Sequence, residues 1–439
     1  MELPVTGKPH KQLAEEMEAL TSLDVDWRSG KIWSFVYFAG DDVAQVLKDA
    51  YTTFFYTNGL SPMAFRSLKK FESEVVAMTA NLLGCSEAVG NMTSGGTESI
   101  LMAVKAARDW ARAERPQITA PEMILPVTAH PAHDKAGHYL GVKPVHIPVR
   151  DDLRADVDAA QAAMTDSTIL VVGSAPCYPC GVIDPIPELA ALAKDKGICC
   201  HVDACLGGFL LPFLRRLEYP VPPFDFSVPG VTSISADLHK FGFSVRGTST
   251  ILYRDRNLRR YQFFSQADWP GGLYGSPTMT GSRPGAAIAA SWALLNYLGE
   301  EGYMRLARII MDTAQALIDG INAIPGLQIR GKPDMSVLSF DSDDLNIYAL
   351  AEAMEARGWN LELLQRPPSL HLVVTPAHKE AVEPFLADLG EAAEEVSSKK
   401  PAPTGTAAMY GVLSTLPDRT TVHSAILDFI EGLTRPDQS

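Results

Sequence analysis

The chain has 439 residues, 46% of them hydrophobic, and a formal net charge of −14. That apolar content can fill a large core, a prior of roughly 100 to 200 residues per domain gives two or three domains, and the acidic balance excludes nucleic acid as an expected partner. No apolar run reaches the roughly 18 residues of a membrane span, and the opening MELPVTGKPHKQLAEEMEAL lacks the basic start and apolar core of a signal peptide, which predicts a cytoplasmic protein without an integral membrane segment.

Residues 1–60 read as an N-terminal segment. From Phe65 to Gly84 the run FRSLKKFESEVVAMTANLLG carries apolar residues at helical spacing and a glycine stop, and predicts an amphipathic helix. A small-residue turn, TSGGTES (Thr93 to Ser99), then feeds straight into a second helix. Beyond it strand signals at EMILPV, KPVHIPV, STILVVGS, ICCHVDA, VTSISAD and TSTILYRD alternate with helix signals at DVDAAQAAM and IPELAALAKDKG. Alternation of this kind predicts an α/β unit over residues 61–301, with a mostly parallel sheet covered by helices on both faces. A long helical stretch after Arg283 links it to a smaller α+β unit, residues 302–439, built from LQIRG, SVLSFDS, NIYALAEAMEARG, LHLVVTP and HKEAVEPFLADLGEAAEEV. The segment SSKKPAPTGT (Ser397 to Thr406) is polar with two prolines and reads as an exposed linker or an active-site loop.

Six cysteines in a chain of this length are too few for a disulfide framework and are expected as reduced thiols. CYPC, Cys177 to Cys180, has the Cys-x-x-Cys spacing of redox and zinc sites. No second ligand pair accompanies it and Pro179 marks an ordinary turn, so no metal site is expected.

Three places carry chemistry. In TSGGTES, glycines let the backbone approach an anion, hydroxyls donate to it and a helix start follows, so the turn suits a phosphate; a capped helix without a ligand uses the same residue types. It is neither a Walker loop nor a dinucleotide fingerprint. In HVDACLGG, Asp203 ends an apolar strand, where open α/β sheets bind ligands, and needs a cationic partner; a salt bridge to arginine would satisfy it equally. In SADLHKFGF, Lys240 lies between apolar and aromatic residues, and desolvation there is expected to lower its pKa and make the amine a nucleophile for a carbonyl. A phosphate cradle, an acid for a pyridinium nitrogen and a lysine for an aldehyde are together the handles of pyridoxal 5′-phosphate.

With those residues in view, TSGGTES, HVDACLGG, SADLHKFGF, YQFFSQADWPGGLYGSPTMTGSRPG and GWNLELLQRPPSLHLVVT resemble the sphingosine-1-phosphate lyases, within the broader group of the glutamate and aromatic amino-acid decarboxylases. The resemblance runs from about Tyr37 to Tyr410. It implies a fold-type-I, aspartate-aminotransferase-like subunit acting as a homodimer with shared active sites. It also implies cleavage of a phosphorylated sphingoid base to a long-chain aldehyde and phosphoethanolamine. By the same resemblance Lys240 holds the cofactor aldehyde, Asp203 faces the pyridine nitrogen, and His130 stacks on the ring. Ser94, Gly95, Gly96 and Thr97 form the phosphate cup with His239 nearby, and Ser276 reaches the cofactor phosphate of the other subunit. Tyr37 and Tyr178 match aromatic positions at the reacting end, and Asn58 lies on the substrate side.

Three substrate-side positions depart from the family pattern: Ser61 and Cys180 stand where the lyases usually have histidine, and Arg246 where they usually have lysine. Arg246 keeps the charge for a substrate phosphate but is a poor proton shuttle, and it would equally receive a carboxylate. An amino-acid decarboxylase or β-hydroxy-amino-acid aldolase therefore stays as the alternative, and a cofactor-dead binding protein as a reading from another class. Trp33 and Phe35 add bulk before Tyr37 on the expected substrate channel. Eukaryotic lyases of the family carry an N-terminal membrane anchor, which this chain is expected to lack.

Overall fold

The computed structural model describes residues 2–399, 404–417 and 419–433. Its larger sheet holds β1 (Val89–Thr93), β2 (Glu122–Pro126), β3 (Lys143–Ile147), β4 (Thr168–Ser174), β5 (Cys199–Asp203), β6 (Ser233–Ala236) and β7 (Ser249–Tyr253), in the order β1-β7-β6-β5-β4-β2-β3. Pairing is parallel from β3 through β2, β4 and β5 to β6, and antiparallel where β7 meets β6 and β1. Strands covered on both faces need no polar alternation, which is why β4 reads TILVVGS and is buried throughout.

The chain-order helices are α1 (His10–Leu20), α2 (Asp41–Thr53), α3 (Arg66–Leu82), α4 (Gly96–Glu114), α5 (Ala132–Leu140), α6 (Val157–Ala163), α7 (Ile186–Asp195), α8 (Leu211–Arg216), α9 (Arg256–Arg260) and α10 (Gly285–Ala323). Neither α1 nor α2 was expected from the N-terminal segment. Strand β1 was also missed, because Gly90 and Asn91 are poor strand formers. Its glycine is required by a neighbour: a Cβ at Gly90 would run into the Ile251 carbonyl of β7.

A short hairpin, β8 (Phe264–Gln266) with β9 (Tyr274–Ser276), precedes α10. The smaller unit has the antiparallel order β10-β11-β13-β12, with β10 at Gln328–Ile329, β11 at Val337–Asp341, β12 at Glu362–Leu364 and β13 at Ser369–Val373. Helices α11 (Ile347–Glu355), α12 (Val382–Lys399), α13 (Gly405–Thr415) and α14 (Arg419–Leu433) complete it. Of SSKKPAPTGT, residues 397–399 end α12 and 404–406 lead into α13; the rest lies outside the described residues.

Helix α10 belongs to both cores. Leu294, Leu298, Leu306 and Ile310 pack with the larger sheet, whereas Ala314, Leu317 and Ile321 pack with the smaller one. It breaks at Gly299, whose φ of 55° is non-helical. The other stitch between cores is the extended segment before α2. Trp33 is fully buried in the smaller core, its ring 4.3 Å from that of His378 and 4.7 Å from Phe385, while Tyr37 packs edge-on to Phe241 of the larger unit at 5.1 Å. Among the described residues no helix is long and apolar enough to cross a membrane.

Candidate active site

The C-terminal ends of the parallel strands open onto a cavity of about 460 Å³. Every backbone run that feeds it ends in a small or charged residue: β1 in Thr93-Ser94, β5 in Asp203, β6 in Ala236-Asp237. This is where open α/β sheets place ligands.

On the phosphate side the turn Ser94–Thr97 lines the cavity and leads into α4. Gly95 has φ 153°, and a Cβ on Gly96 would fall 2.8 Å from Asp237 Oδ2 and 2.9 Å from Cys205 Sγ, so this turn admits no side chain at Gly96. Buried Glu98 fixes its shape, accepting the Ser94 N–H at 2.6 Å and the Met279 N–H at 2.8 Å. Sequence reasoning on the turn did not single out Glu98, and nothing in its sequence context marks the bond to the 277–280 segment.

Asp203 accepts hydrogen bonds from the Cys205 N–H at 3.1 Å and the Ser235 hydroxyl at 3.2 Å. Burial alone would push its carboxyl up; the rings of His133 and His130, the Cys205 side chain and the Lys240 amine outweigh burial and hold it well below the usual carboxylate range. It is thus ionised, as a partner for a protonated ring nitrogen must be. His130 lines the cavity, with Nδ1 accepting the Ala132 N–H at 3.1 Å, and its carbonyl meets His133 Nδ1 at 2.9 Å. His133, which sequence reasoning did not single out, is buried at the second residue of α5.

Lys240 lines the same cavity, and its Nζ lies 2.9 Å from Asp237 Oδ2. The expected lowering of its pKa is reversed. Burial does pull the amine down, but the Asp237 carboxylate, helped by Cys205, Tyr37 and Asp203, outweighs it and holds the amine well above the ordinary lysine range. His239, whose Nδ1 accepts the Thr248 N–H at 3.3 Å, and Arg246, which donates to the His239 carbonyl at 3.2 Å, also line the cavity. The Arg246 guanidinium lies 5.3 Å from the Tyr37 ring centre, a cation–π contact. Tyr37 and Tyr178 face the same space; burial pushes Tyr37 up to about 12 and Tyr178 higher still, so both phenols keep their protons.

Four expected site residues do not line this cavity. Asn58 bonds to the Leu60 and Arg283 N–H groups and to the Ser282 hydroxyl. Ser61 is exposed and its carbonyl caps the turn at Ala64 and Phe65. Cys180 is buried with Cys177 and Val182, with Leu153 packed against them. Ser276 is buried on β9, its hydroxyl donating to the Thr278 carbonyl at 3.0 Å. All six cysteines are free, and among the described residues no group of three or more His, Cys, Asp or Glu is placed to hold a metal ion.

The donor set fits pyridoxal phosphate. A helix start stripped of side chains suits a phosphate, ionised Asp203 a pyridinium nitrogen, the His130 ring a flat aromatic face, and Lys240 an aldehyde. Comparison with known proteins agrees. Residues 1–342 match the family model described as the pyridoxal-dependent decarboxylase conserved domain. The sphingosine-1-phosphate lyase of Oryza sativa subsp. japonica is 46% identical over 98% of this chain and 81% of its own length, and sphingosine-1-phosphate lyase 1 of Rattus norvegicus 42% over 99% and 77%. The solved sphingosine-1-phosphate lyase of Burkholderia pseudomallei K96243 superposes with a TM-score of 0.92 at 39% identity, covering 99% of this chain and 97% of that one. With relatives at this identity over nearly the whole of this chain and a cavity equipped for the cofactor, the chain belongs to the sphingosine-1-phosphate lyases, pyridoxal-phosphate-dependent enzymes of the decarboxylase family.

Proposed function

We propose that this chain cleaves the Cα–Cβ bond of sphingosine 1-phosphate, or of a similar phosphorylated sphingoid base, to a long-chain aldehyde and phosphoethanolamine. The observation that carries the reading is the grouping of Tyr37, Tyr178 and Arg246 with Lys240 around one cavity. Bound pyridoxal phosphate supplies the electron sink for the pair released when the bond breaks.

The protein's part follows from its side chains. Lys240, at the cavity wall, would hold the cofactor aldehyde. The turn Ser94–Thr97 and the start of α4 would hold the cofactor phosphate, Asp203 would keep its ring nitrogen protonated, and His130 would lie against the ring. The phenol protons at Tyr37 and Tyr178 Oη, retained because burial disfavours phenolate, serve as donors at the reacting end. Arg246, braced on the His239 carbonyl and the Tyr37 ring, receives the substrate phosphate. Asn58, Ser61 and Cys180 act from outside this cavity, by shaping the walls of the substrate's approach.

The protein works as a homodimer in which Ser276 serves the partner's cofactor phosphate; the place of Ser276 outside the cavity of its own chain supports this. Six free cysteines support a reducing compartment, the cytoplasm.

The test incubates purified protein with pyridoxal phosphate and sphingosine 1-phosphate and follows both products by mass spectrometry, with Lys240→Ala as the blank. Turnover that disappears in the variant is the expected result. A yellow, cofactor-loaded protein that leaves the lipid intact but decarboxylates or cleaves an amino acid would move Arg246 to a carboxylate and overturn the reading.

A further inference from the structure

Asp237 follows the last residue of β6 and faces the cavity with 1% of its side chain exposed. Neither of its carboxylate oxygens accepts an aligned hydrogen bond among the described residues. Its nearest cation is Lys240 Nζ at 2.9 Å from Oδ2; the His239 ring, which burial disfavours charging, lies farther off at 3.6 Å. A buried carboxylate without hydrogen bonds is costly unless a cation sits against it. Here the cation is the one side chain that must leave its charge behind to hold an aldehyde.

We propose that Asp237 is the docking post of the Lys240 amine: whenever Lys240 is off the cofactor, Asp237 receives it as an ammonium and keeps it aimed into the cavity, where it can return a proton and then itself. This rests on the reading of Lys240 as the cofactor's lysine. Asp237 acts through Lys240 and is a positioning residue. Its position three residues before Lys240 on the same turn keeps the two together whatever occupies the cavity, since Lys240 N also hydrogen-bonds the Asp237 carbonyl at 3.4 Å.

The other groups facing the amine divide by sign. Tyr37, Cys205 and Asp203 favour its charge more weakly than Asp237 does. Arg246, His239 and His130 lie on the same wall and do not supply a counter-charge. Without Asp237, burial is left as the main influence and favours the neutral amine.

The test needs no substrate. Cofactor-free protein is acylated with a trace of an amine-reactive anhydride at pH values from 7 to 11, and the Lys240 peptide is quantified by mass spectrometry against exposed Lys11 in the same sample. In the wild type the labelling midpoint of Lys240 is expected above that of Lys11. In Asp237→Asn it is expected to fall by at least one pH unit, to below that of Lys11, while Asp237→Glu restores the high value. An unchanged Lys240 profile in a folded Asp237→Asn protein overturns the proposal. So does a wild-type midpoint at or below that of Lys11, which keeps the test decisive even if the asparagine variant does not fold. Because only the apoprotein is labelled, the result is independent of whether sphingosine 1-phosphate is the substrate.

Discussion

Arg246 and Tyr37 show how much of the chemistry is settled by which groups share a wall. The guanidinium is held by one carbonyl and one ring, leaving most of its five N–H donors for a ligand. Arg246→Ala is therefore expected to raise KM for a phosphorylated substrate at least ten-fold with a smaller change in kcat, and Arg246→Lys to recover part of that loss; an effect confined to kcat would place Arg246 at the proton transfers instead. At this scale the cofactor side was legible: Lys240, Asp203 and the TSGGTES turn each stand at a strand end, where residue type and position together signal chemistry. Asp237 and His133 were not, because a carboxylate in a turn and a histidine on a helix have ordinary structural uses. The missed carboxylate explains why the expected lysine pKa had the wrong direction: sequence shows that a side chain will be buried but not which charge it will meet.

Short elements position those residues, and two of them can be tested separately. Glu98 ties the phosphate turn to the 277–280 segment through backbone N–H groups. Glu98→Ala leaves these buried donors unpaired and is expected to cost about 1–3 kcal/mol in chemical denaturation, together with weaker retention of pyridoxal phosphate. The second element is the turn at Ser34–Tyr37. Phe35 adopts φ 63°, unusual for a bulky residue, and its ring is 62% exposed at the cavity wall. Phe35→Ala is expected to flatten the preference between long- and short-chain sphingoid phosphates, read as the ratio of their kcat/KM values. The βα alternation gave away the parallel strands, most plainly β4, TILVVGS, a nearly unbroken apolar run. Strand β1 and the small hairpin lacked that mark, being glycine-containing in one case and wholly exposed along β8 in the other.

Across the whole molecule, buried histidines set the response to acid. Burial depresses His371 and His378 to about 4 and His201 to about 3, from an ordinary 6.5. A histidine with a depressed folded pKa takes up protons more readily when unfolded. Its contribution is present above pH 6.5 and is lost as pH falls toward the folded value. Asp184, pushed up to about 6 by burial, works the opposite way between about 4 and 6, and Asp334 is raised in the same direction, but His130 and His239 are depressed by burial alongside the three rings. Thermal unfolding is therefore expected at a lower Tm at pH 5 than at pH 7.5, with a shallower dependence in His371→Asn; a flat profile would contradict the burial of these rings. The cores themselves are bound by the stretch from Trp33 to Tyr37, and Trp33→Ala is expected to cost roughly 3–5 kcal/mol. That stitch also orders events in time. The chain emits Trp33 early in synthesis, yet its ring partners Trp359, His378 and Phe385 appear more than three hundred residues later. The larger sheet and the Phe241 seat of Tyr37 can assemble while they are still unmade, but the Trp33 anchor four residues earlier is secured only when the smaller core forms. A nascent chain released before residue 385 would thus carry Lys240, Asp203 and the Ser94–Thr97 turn, and still lack part of the aromatic seat that anchors the stretch leading to Tyr37.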